Sequence, residues 1–425
     1  MKVYLDTIGC RLNQAEIESM AREFRERGHE IVAMAENADL AVVNTCAVTA
    51  AAASDSRGTI RRLARVRDIP ILATGCWATL QPLAAAALPA VARVVPNRLK
   101  DQLVNDVLEA PAPRFEIEPI ARIPLPGPRH RTRVFIKVQD GCNNRCAFCI
   151  TTLARGVSRS RSLAEVLMDV RAAAAGEAQE IVLTGVQLVS WGRDVGLGLE
   201  HLVQAILHET PVPRVRLSSL EPWDLDAQFF SLWEDARMCR HLHLPLQSGC
   251  DATLRRMGRK TTRRDFVALV NAAREAIPEV AITTDVIAGF PGETEAEFEE
   301  SLDFVRELGL AGGHAFAYSA RPGTVAARLP GHVAPRIRKE RSNAFRCVFE
   351  QAAGSYRERF LGRTATVLWE SALRTGGESW RLEGLTDNFI RVTCGAPEPR
   401  WNRIDRVVLR RGEAGGLEGI IAKSG

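Results

Sequence analysis

Cys142, Cys146 and Cys149 lie in the stretch Val138-Gln-Asp-Gly-Cys-Asn-Asn-Arg-Cys-Ala-Phe-Cys-Ile150 as a Cys-x3-Cys-x2-Cys triplet. Three thiolates so close together suit an iron–sulfur cluster. Such clusters usually take four cysteines, so three leave one iron with a position open to another ligand. The same distinction separates catalytic from closed structural zinc sites. Zinc would ask for a fourth Cys or His nearby, and none follows Cys149 within the next dozen residues. With ten cysteines in 425 residues, chance would produce this spacing in only about 0.006 of such chains. An open cluster is therefore the chemistry the spacing favours, and a cofactor of this kind is needed where a carbon radical, which no side chain can generate, must attack an unactivated C–H bond. Phe148, inside the triplet, reads equally as a shield for the cluster or as core packing.

Three more cysteines share a local context. Lys2-Val-Tyr-Leu-Asp-Thr-Ile-Gly-Cys10, Ala38-Asp-Leu-Ala-Val-Val-Asn-Thr-Cys46 and Pro70-Ile-Leu-Ala-Thr-Gly-Cys76 each run from apolar to small or polar residues and end in Cys. Short apolar runs of this kind read as buried parallel strands. Between the first two, a helical pattern from Gln14 to Arg27 ends at Gly28. Strand–helix alternation predicts an open α/β (Rossmann-like) sheet, whose ligands gather at the carboxyl ends of its strands. Cys10, Cys46 and Cys76 all fall at such ends and are the candidate ligands of a second cluster. Each alone would read as a common buried residue. Cys239, Cys250, Cys347 and Cys394 show no ligand spacing and read as buried or incidental thiols.

The elements that must position these thiols follow from the rest of the chain. Six proline residues between 111 and 128 mark an extended linker after an N-terminal domain, 1–110. From 129 to 357, strands alternate with amphipathic helices. The strands are Val134–Val138, Glu180–Thr184, Arg214–Ser218, Leu242–Leu246, Ala281–Ile287 and His314–Tyr318. Six such units predict a partial (βα)6 barrel with its site in the loops after the strands, where the triplet falls. From 360 to 425, Thr364–Glu370, Glu378–Gly384, Phe389–Thr393 and Arg406–Arg410 read as the short strands of a small all-β barrel.

Further loops carry weaker signals. Thr184 and Gly185 end the second barrel strand, where a glycine lets backbone approach a ligand. Gln247 and Ser248 offer amide and hydroxyl groups suited to a ribose or an amino-acid moiety. Thr294 with Glu297 makes a helix capping box. His241 and His243 read as barrel-interior or packing residues, not metal ligands. Net charge is only +5, but it is clustered. Arg255–Arg264 carries six cations and no acid, and Arg155–Arg161 and Arg336–Arg341 are also basic; together they point to phosphate contact. The chain is long enough for two or three domains, and its ten cysteines do not suggest a secreted disulfide scaffold. The N-terminus lacks a signal-peptide apolar region, and no apolar run is long enough to span a bilayer, so a cytoplasmic location is expected.

The triplet resembles that of the radical S-adenosylmethionine superfamily. Across essentially its whole length the chain resembles the methylthiotransferases of that superfamily, in which a three-cysteine α/β domain, a radical core and an RNA-binding TRAM barrel follow in this order. The resemblance implies two [4Fe–4S] clusters. The one on Cys142, Cys146 and Cys149 would bind and cleave S-adenosylmethionine, and the one on Cys10, Cys46 and Cys76 would present sulfur. It makes Thr184, Gly185, Gln247 and Ser248 candidates for S-adenosylmethionine contact, and Arg155 and Arg161 candidates for substrate contact. It further implies a tRNA anticodon loop as partner and a flavodoxin- or ferredoxin-like electron donor. Asn44-Thr-Cys-Ala-Val-Thr49, Gly141-Cys-Asn-Asn144, Leu183-Thr-Gly-Val-Gln-Leu188, Leu217-Ser-Ser-Leu-Glu-Pro222 and His241–Gly249 resemble the branch acting on threonylcarbamoyladenosine at position 37 of tRNA. The branches acting on isopentenyladenosine and on a ribosomal-protein aspartate are the alternatives, and a non-catalytic Fe–S RNA-binding or redox protein is a more distant one. The chain departs from the family at Thr151-Thr-Leu-Ala-Arg-Gly156, Trp77-Ala-Thr79 and Cys250, none of which replaces a candidate ligand.

Overall fold

The computed structural model describes residues 1–66, 68–108, 121–126, 132–376, 379–412 and 416–422. They divide into two compact units. The first is Met1–Glu177 with Leu183–Leu197 and Ser319–Ala327; the second is Ala178–Val182, Gly198–Tyr318 and Arg328–Gly425.

The first unit begins with strands β1 (Lys2–Thr7), β2 (Glu30–Ile31), β3 (Leu40–Thr45), β4 (Ile71–Gly75) and β5 (Val91–Val95). They form one parallel sheet in the order β2-β1-β3-β4-β5. Every residue of β3 and β4 is buried, as expected of parallel strands covered on both faces. Alternate side chains feed two cores. Val3, Leu5, Val42 and Leu72 pack with Ile17, Met20 and Phe24 of the helix Arg11–Glu26. Ala41, Val43 and Ala73 pack with Ile60, Leu63 and Trp77 on the other side. The predicted helix start at Gln14 moves to Arg11, and its end before Gly28 holds.

Most of the expected linker, 111–120 and 127–128, lies outside the described residues. Residues 121–126 have no regular structure, yet they are docked. Leu125 is 3% exposed, and Arg25 donates to the carbonyls of Ile123 (2.6 Å) and Pro124 (3.3 Å). The same unit carries the first strand of the radical core, β6 (Val134–Lys137), and a two-residue antiparallel clasp of β7 (Gln139–Asp140) with β8 (Arg159–Ser160). That clasp closes the loop bearing Cys142, Cys146 and Cys149. β9 (Ile181–Thr184) starts in the second unit and ends in the first.

The second unit continues with β10 (Val215–Leu217), β11 (His241–His243), β12 (Ala281–Ala288) and β13 (Gly312–Ala317), so all six strands expected from the sequence are present. β11, β12 and β13 pair in parallel. The fourth strand is shorter than expected because Pro245 has no N–H to give to a ladder. The Thr294–Glu297 capping box forms as expected, with both reciprocal hydrogen bonds present. His241 stacks on Phe389 at 4.0 Å and bonds Thr283, a packing role.

The C-terminal strands β14 (Thr364–Gly376), β15 (Ser379–Thr386), β16 (Arg391–Ala396), β17 (Ile404–Arg411) and β18 (Leu417–Ile421) form a closed barrel ordered β14-β15-β16-β18-β17. Four of these match the sequence expectation. β18 does not, because Gly419 within it and Gly415 and Gly416 before it hide the alternation. Gly419 is required by packing, since a Cβ there would sit 2.2 Å from Val407 Cγ1. No helix among the described residues is long and apolar enough to cross a membrane.

Candidate functional site

Both cysteine triplets belong to the first unit. Cys10 caps the start of the helix after β1, Cys46 follows β3, and Cys76 opens the short helix Cys76–Leu80 after β4. β1, β3 and β4 are neighbours in the sheet, so all three thiols emerge at one edge, the carboxyl end. They sense one another. Burial, with smaller contributions from the nearby Cys10 and Cys76, pushes the Cys46 thiol up to about 11. Gly9 makes this approach possible: at φ +99° it takes a conformation natural to glycine, and a Cβ there would lie 2.4 Å from Cys46 Sγ. Asn97 Nδ2 donates to Cys76 Sγ at 3.6 Å, and Arg321 lies close enough to Cys46 to put positive charge near that thiol.

The second triplet sits in the loop between β7 and β8. Cys142 N donates to Gly156 O at 3.0 Å and Cys149 N to Cys146 O at 3.1 Å, so both ends of the triplet are held by backbone bonds. Cys142 Sγ lies 3.3 Å from Gln187 Oε1, and Asn144 N points at Cys142 Sγ from 3.4 Å. Gly141, immediately before Cys142, has φ +70°, and a Cβ would fall 1.9 Å from Val157 O.

These donor sets fit iron–sulfur clusters. Each offers three thiols and neither offers the fourth that would close a cluster. Among the described residues, no three His, Cys, Asp or Glu side chains converge as a group that could hold a single metal ion.

Arg155, expected as a candidate for substrate contact, is 4% exposed and its guanidinium is bound within the protein. Its Nη1 donates to Glu16 Oε1 (2.8 Å) and Asp140 Oδ1 (2.9 Å), and its Nη2 to Asn13 Oδ1 (2.7 Å) and Glu16 Oε2 (3.2 Å). Lys100 and Lys137 also bind Glu16, at 2.8 and 3.3 Å. Burial alone would raise the Glu16 carboxyl, but these three cations hold it well below the usual carboxylate range. Arg161 is likewise engaged inside the protein, donating to Asp169 at 2.6 Å and to the Lys137 carbonyl at 3.0 Å.

The loop residues are placed as follows. Thr184 O accepts from Val138 N, and a Cβ on Gly185 would sit 2.8 Å from Gln139 Oε1, so the glycine makes room for a side chain of the protein itself. In the second unit, Gln247 is tied through its backbone to Asp285 and Ile287 of β12. Ser248 is 2% exposed and its hydroxyl accepts from Cys250 N. Of the basic run, Arg256, Arg259 and Arg263 pair with Glu297, Glu221 and Glu300; Arg255, Lys260 and Arg264 are exposed. Cys239, Cys250 and Cys394 are buried and Cys347 is exposed.

Several residues of the site were missed in the sequence. Asn13 and Glu16 follow Cys10 at helical spacing, which put polar groups on a face that otherwise buries Leu12, Ile17 and Met20. That was a usable signal. In the second unit, Asp285 bonds His243 (3.3 Å) and His314 (3.1 Å), a contact that required three strands to be aligned and had no local signal. Burial works against its ionisation, yet the two imidazoles hold its carboxyl below the ordinary range.

A parallel α/β core carrying an open three-cysteine loop is the architecture of radical S-adenosylmethionine proteins, and residues 136–305 match the Radical SAM superfamily. Residues 2–95 match Uncharacterized protein family UPF0004. The fold is similar to that of TsrM, a radical S-adenosylmethionine methyltransferase from Kitasatospora setae solved with cobalamin and a [4Fe-4S] cluster bound, with TM-score 0.57, 17% identity and 76% of each chain covered. Among relatives, the threonylcarbamoyladenosine tRNA methylthiotransferase MtaB of Bacillus subtilis is 33% identical, covering 96% of this chain and 94% of its own. The tRNA-2-methylthio-N(6)-dimethylallyladenosine synthase of Caldicellulosiruptor saccharolyticus is also 33% identical, covering 92% and 86%. So is the ribosomal protein uS12 methylthiotransferase RimO of Chloroflexus aurantiacus, covering 87% and 88%. The chain belongs to the radical S-adenosylmethionine methylthiotransferase family. A [4Fe–4S] cluster and S-adenosylmethionine are implied by that membership.

Proposed function

We propose that this protein converts N6-threonylcarbamoyladenosine at position 37 of tRNA, beside the anticodon, to its 2-methylthio derivative. The observation that carries the reading is the presence of two three-cysteine sets in one compact unit, each one thiol short of closing a cluster. The branch assignment is supported by the strings Asn44–Thr49, Leu183–Leu188 and Leu217–Pro222, and by the coverage of the MtaB relative, fuller on both chains than that of the other two relatives named above. When bound at Cys142, Cys146 and Cys149 and at Cys10, Cys46 and Cys76, [4Fe–4S] clusters would supply reductive cleavage of S-adenosylmethionine and delivery of sulfur.

The chain's own residues position and hold. Asp140 Oδ1 accepts from Gly141 N at 2.8 Å and fixes the entry to the radical loop, while β7 and β8 close its base. The adenine must leave the anticodon-loop stack to be modified, which a single-stranded loop allows cheaply. Exposed arginines of the C-terminal barrel, among them Arg374, Arg381, Arg391, Arg406 and Arg410, suit the RNA backbone. The reaction takes place in the cytoplasm, with a small flavodoxin- or ferredoxin-like protein as electron donor.

Nucleoside mass spectrometry of tRNA tests this in a strain lacking the gene, complemented with wild type, Cys142→Ala or Cys10→Ala. The 2-methylthio-threonylcarbamoyl nucleoside should vanish on deletion and return only with wild type. Its persistence in the deletion strain would overturn the branch assignment and turn attention to the ribosomal-protein aspartate. Rescue by Cys10→Ala would remove the second cluster alone.

A further inference from the structure

We infer that Arg155 is a positioning residue that couples the two cysteine triplets, through the short helix Thr151–Arg155, and sets a fixed positive charge beside Cys10 and Cys76. The inference rests on the proposed function, since it assigns Arg155 a task only if both triplets hold clusters.

The helix starts two residues after Cys149 and reaches toward both sites within one turn. Its Ala154 carbonyl accepts from Asn97 Nδ2 at 2.8 Å, and the same amide donates to Cys76 Sγ. Its last residue, Arg155, grips Asn13 Oδ1, the oxygen that lies 3.8 Å from Cys10 Sγ. The other arm of the guanidinium holds Asp140, which holds the amide of Gly141 next to Cys142. Cys10, Cys76 and the radical loop are thus joined by single hydrogen-bond steps through one side chain and one carbonyl. Arginine suits the task because its planar fork reaches several acceptors at set angles, which a lysine ammonium cannot do.

The charge count favours an electrostatic role as well. Lys100, Lys137 and Arg155 face the two buried carboxylates Glu16 and Asp140, leaving one positive charge in excess. Arg159 and Asp101, both solvent-facing, add one charge of each sign and are screened. An excess cation in a low-dielectric setting stabilises an anionic, thiolate-ligated group and most strongly its reduced state.

The test uses the full-length chain with Cys142, Cys146 and Cys149 all changed to alanine, reconstituted with iron and sulfide so that only the auxiliary site loads. Its midpoint potential and low-temperature EPR spectrum are then measured with Arg155→Gln, Arg155→Lys or Asn13→Asp added. Arg155→Gln should move the potential to more negative values and alter the spectrum, and Arg155→Lys should restore the potential toward that of the parent. Asn13→Asp keeps an ion pair with Arg155, so it remains testable if Arg155→Gln does not fold; it cancels the same charge and should shift the potential the same way. Arg122→Gln, which removes a salt bridge to Glu18 elsewhere in the unit, reports what a merely structural loss does. It should lower thermal stability and leave the potential in place. Potentials and spectra unchanged in Arg155→Gln and Asn13→Asp would overturn the inference. A parent that takes up no iron would instead overturn the second cluster itself.

Discussion

Replacing Arg216 by methionine should be among the most damaging single changes in the second unit. Arg216 and Glu180 are both 0% exposed in their side chains, and they pair through two bonds, 2.6 and 3.1 Å long. The rest of the guanidinium donates to the carbonyls of Asp387 (3.0 Å) and Thr386 (3.2 Å), which tie the C-terminal barrel to β10. Removing one partner of a buried pair costs roughly 3–5 kcal/mol, because the other charge stays buried without compensation. Arg214 lies 3.9 Å from Glu180 and relieves part of this, which favours the lower end, ~3 kcal/mol. Two carbonyls losing a donor add roughly 1 kcal/mol in all. The expected loss is about 4 kcal/mol, close to a thousandfold in the unfolding equilibrium. Urea unfolding of the apo-protein, followed by far-UV circular dichroism, measures it. The paired variant Glu180→Leu/Arg216→Met removes the stranded charge and should cost only ~1–2 kcal/mol. A single variant within 1 kcal/mol of wild type (about fivefold), or a double variant as unstable as the single, would refute the reasoning.

Two further outcomes follow from the first unit. Gly141→Ala forces a Cβ into Val157 O at φ +70°, so it should cost at least ~1 kcal/mol. It should also leave reconstituted protein with the auxiliary cluster but not the radical one, and a full iron and sulfide complement would contradict this. Glu23 has its carboxyl pushed up to about 7 by burial. A raised carboxyl costs stability as pH climbs from the unfolded value, ~4.3, through the folded one, and the cost is constant above that. Glu23→Gln should therefore stabilise the apo-protein above pH 7 and have no effect near pH 4, as read from thermal unfolding across that range; equal effects at both ends would count against the assignment.

Much of the fold was legible because it depends on short-range pattern. Apolar runs ending in Gly or Thr marked β1, β3 and β4, and those runs placed Cys10, Cys46 and Cys76 at a common sheet edge before any coordinate was known. The capping box at Thr294 was equally local. Elements whose signal depends on partners were harder to see. β18 looks like a glycine-rich tail until Val407 and Val392 are seen against Gly419. The prolines near 124 suggested a loose linker, but Leu125 and the carbonyls of Ile123 and Pro124 are docked against the helix Arg11–Glu26.

The sequence by itself determined the chemistry: thiol number and spacing fix how many iron positions a site can leave open, and covalent adjacency in a loop survives any arrangement of the rest. Only the tertiary structure decided where charge goes. Arg155 and Arg161 sit in a basic run that reads as a surface, and of the cations in Arg255–Arg264 only Arg255, Lys260 and Arg264 are exposed. A guanidinium is expensive to bury unless acids wait for it, and whether they wait depends on residues far away in sequence, such as Glu16 for Arg155. That pairing spans 139 positions of the chain, and no local pattern encodes it.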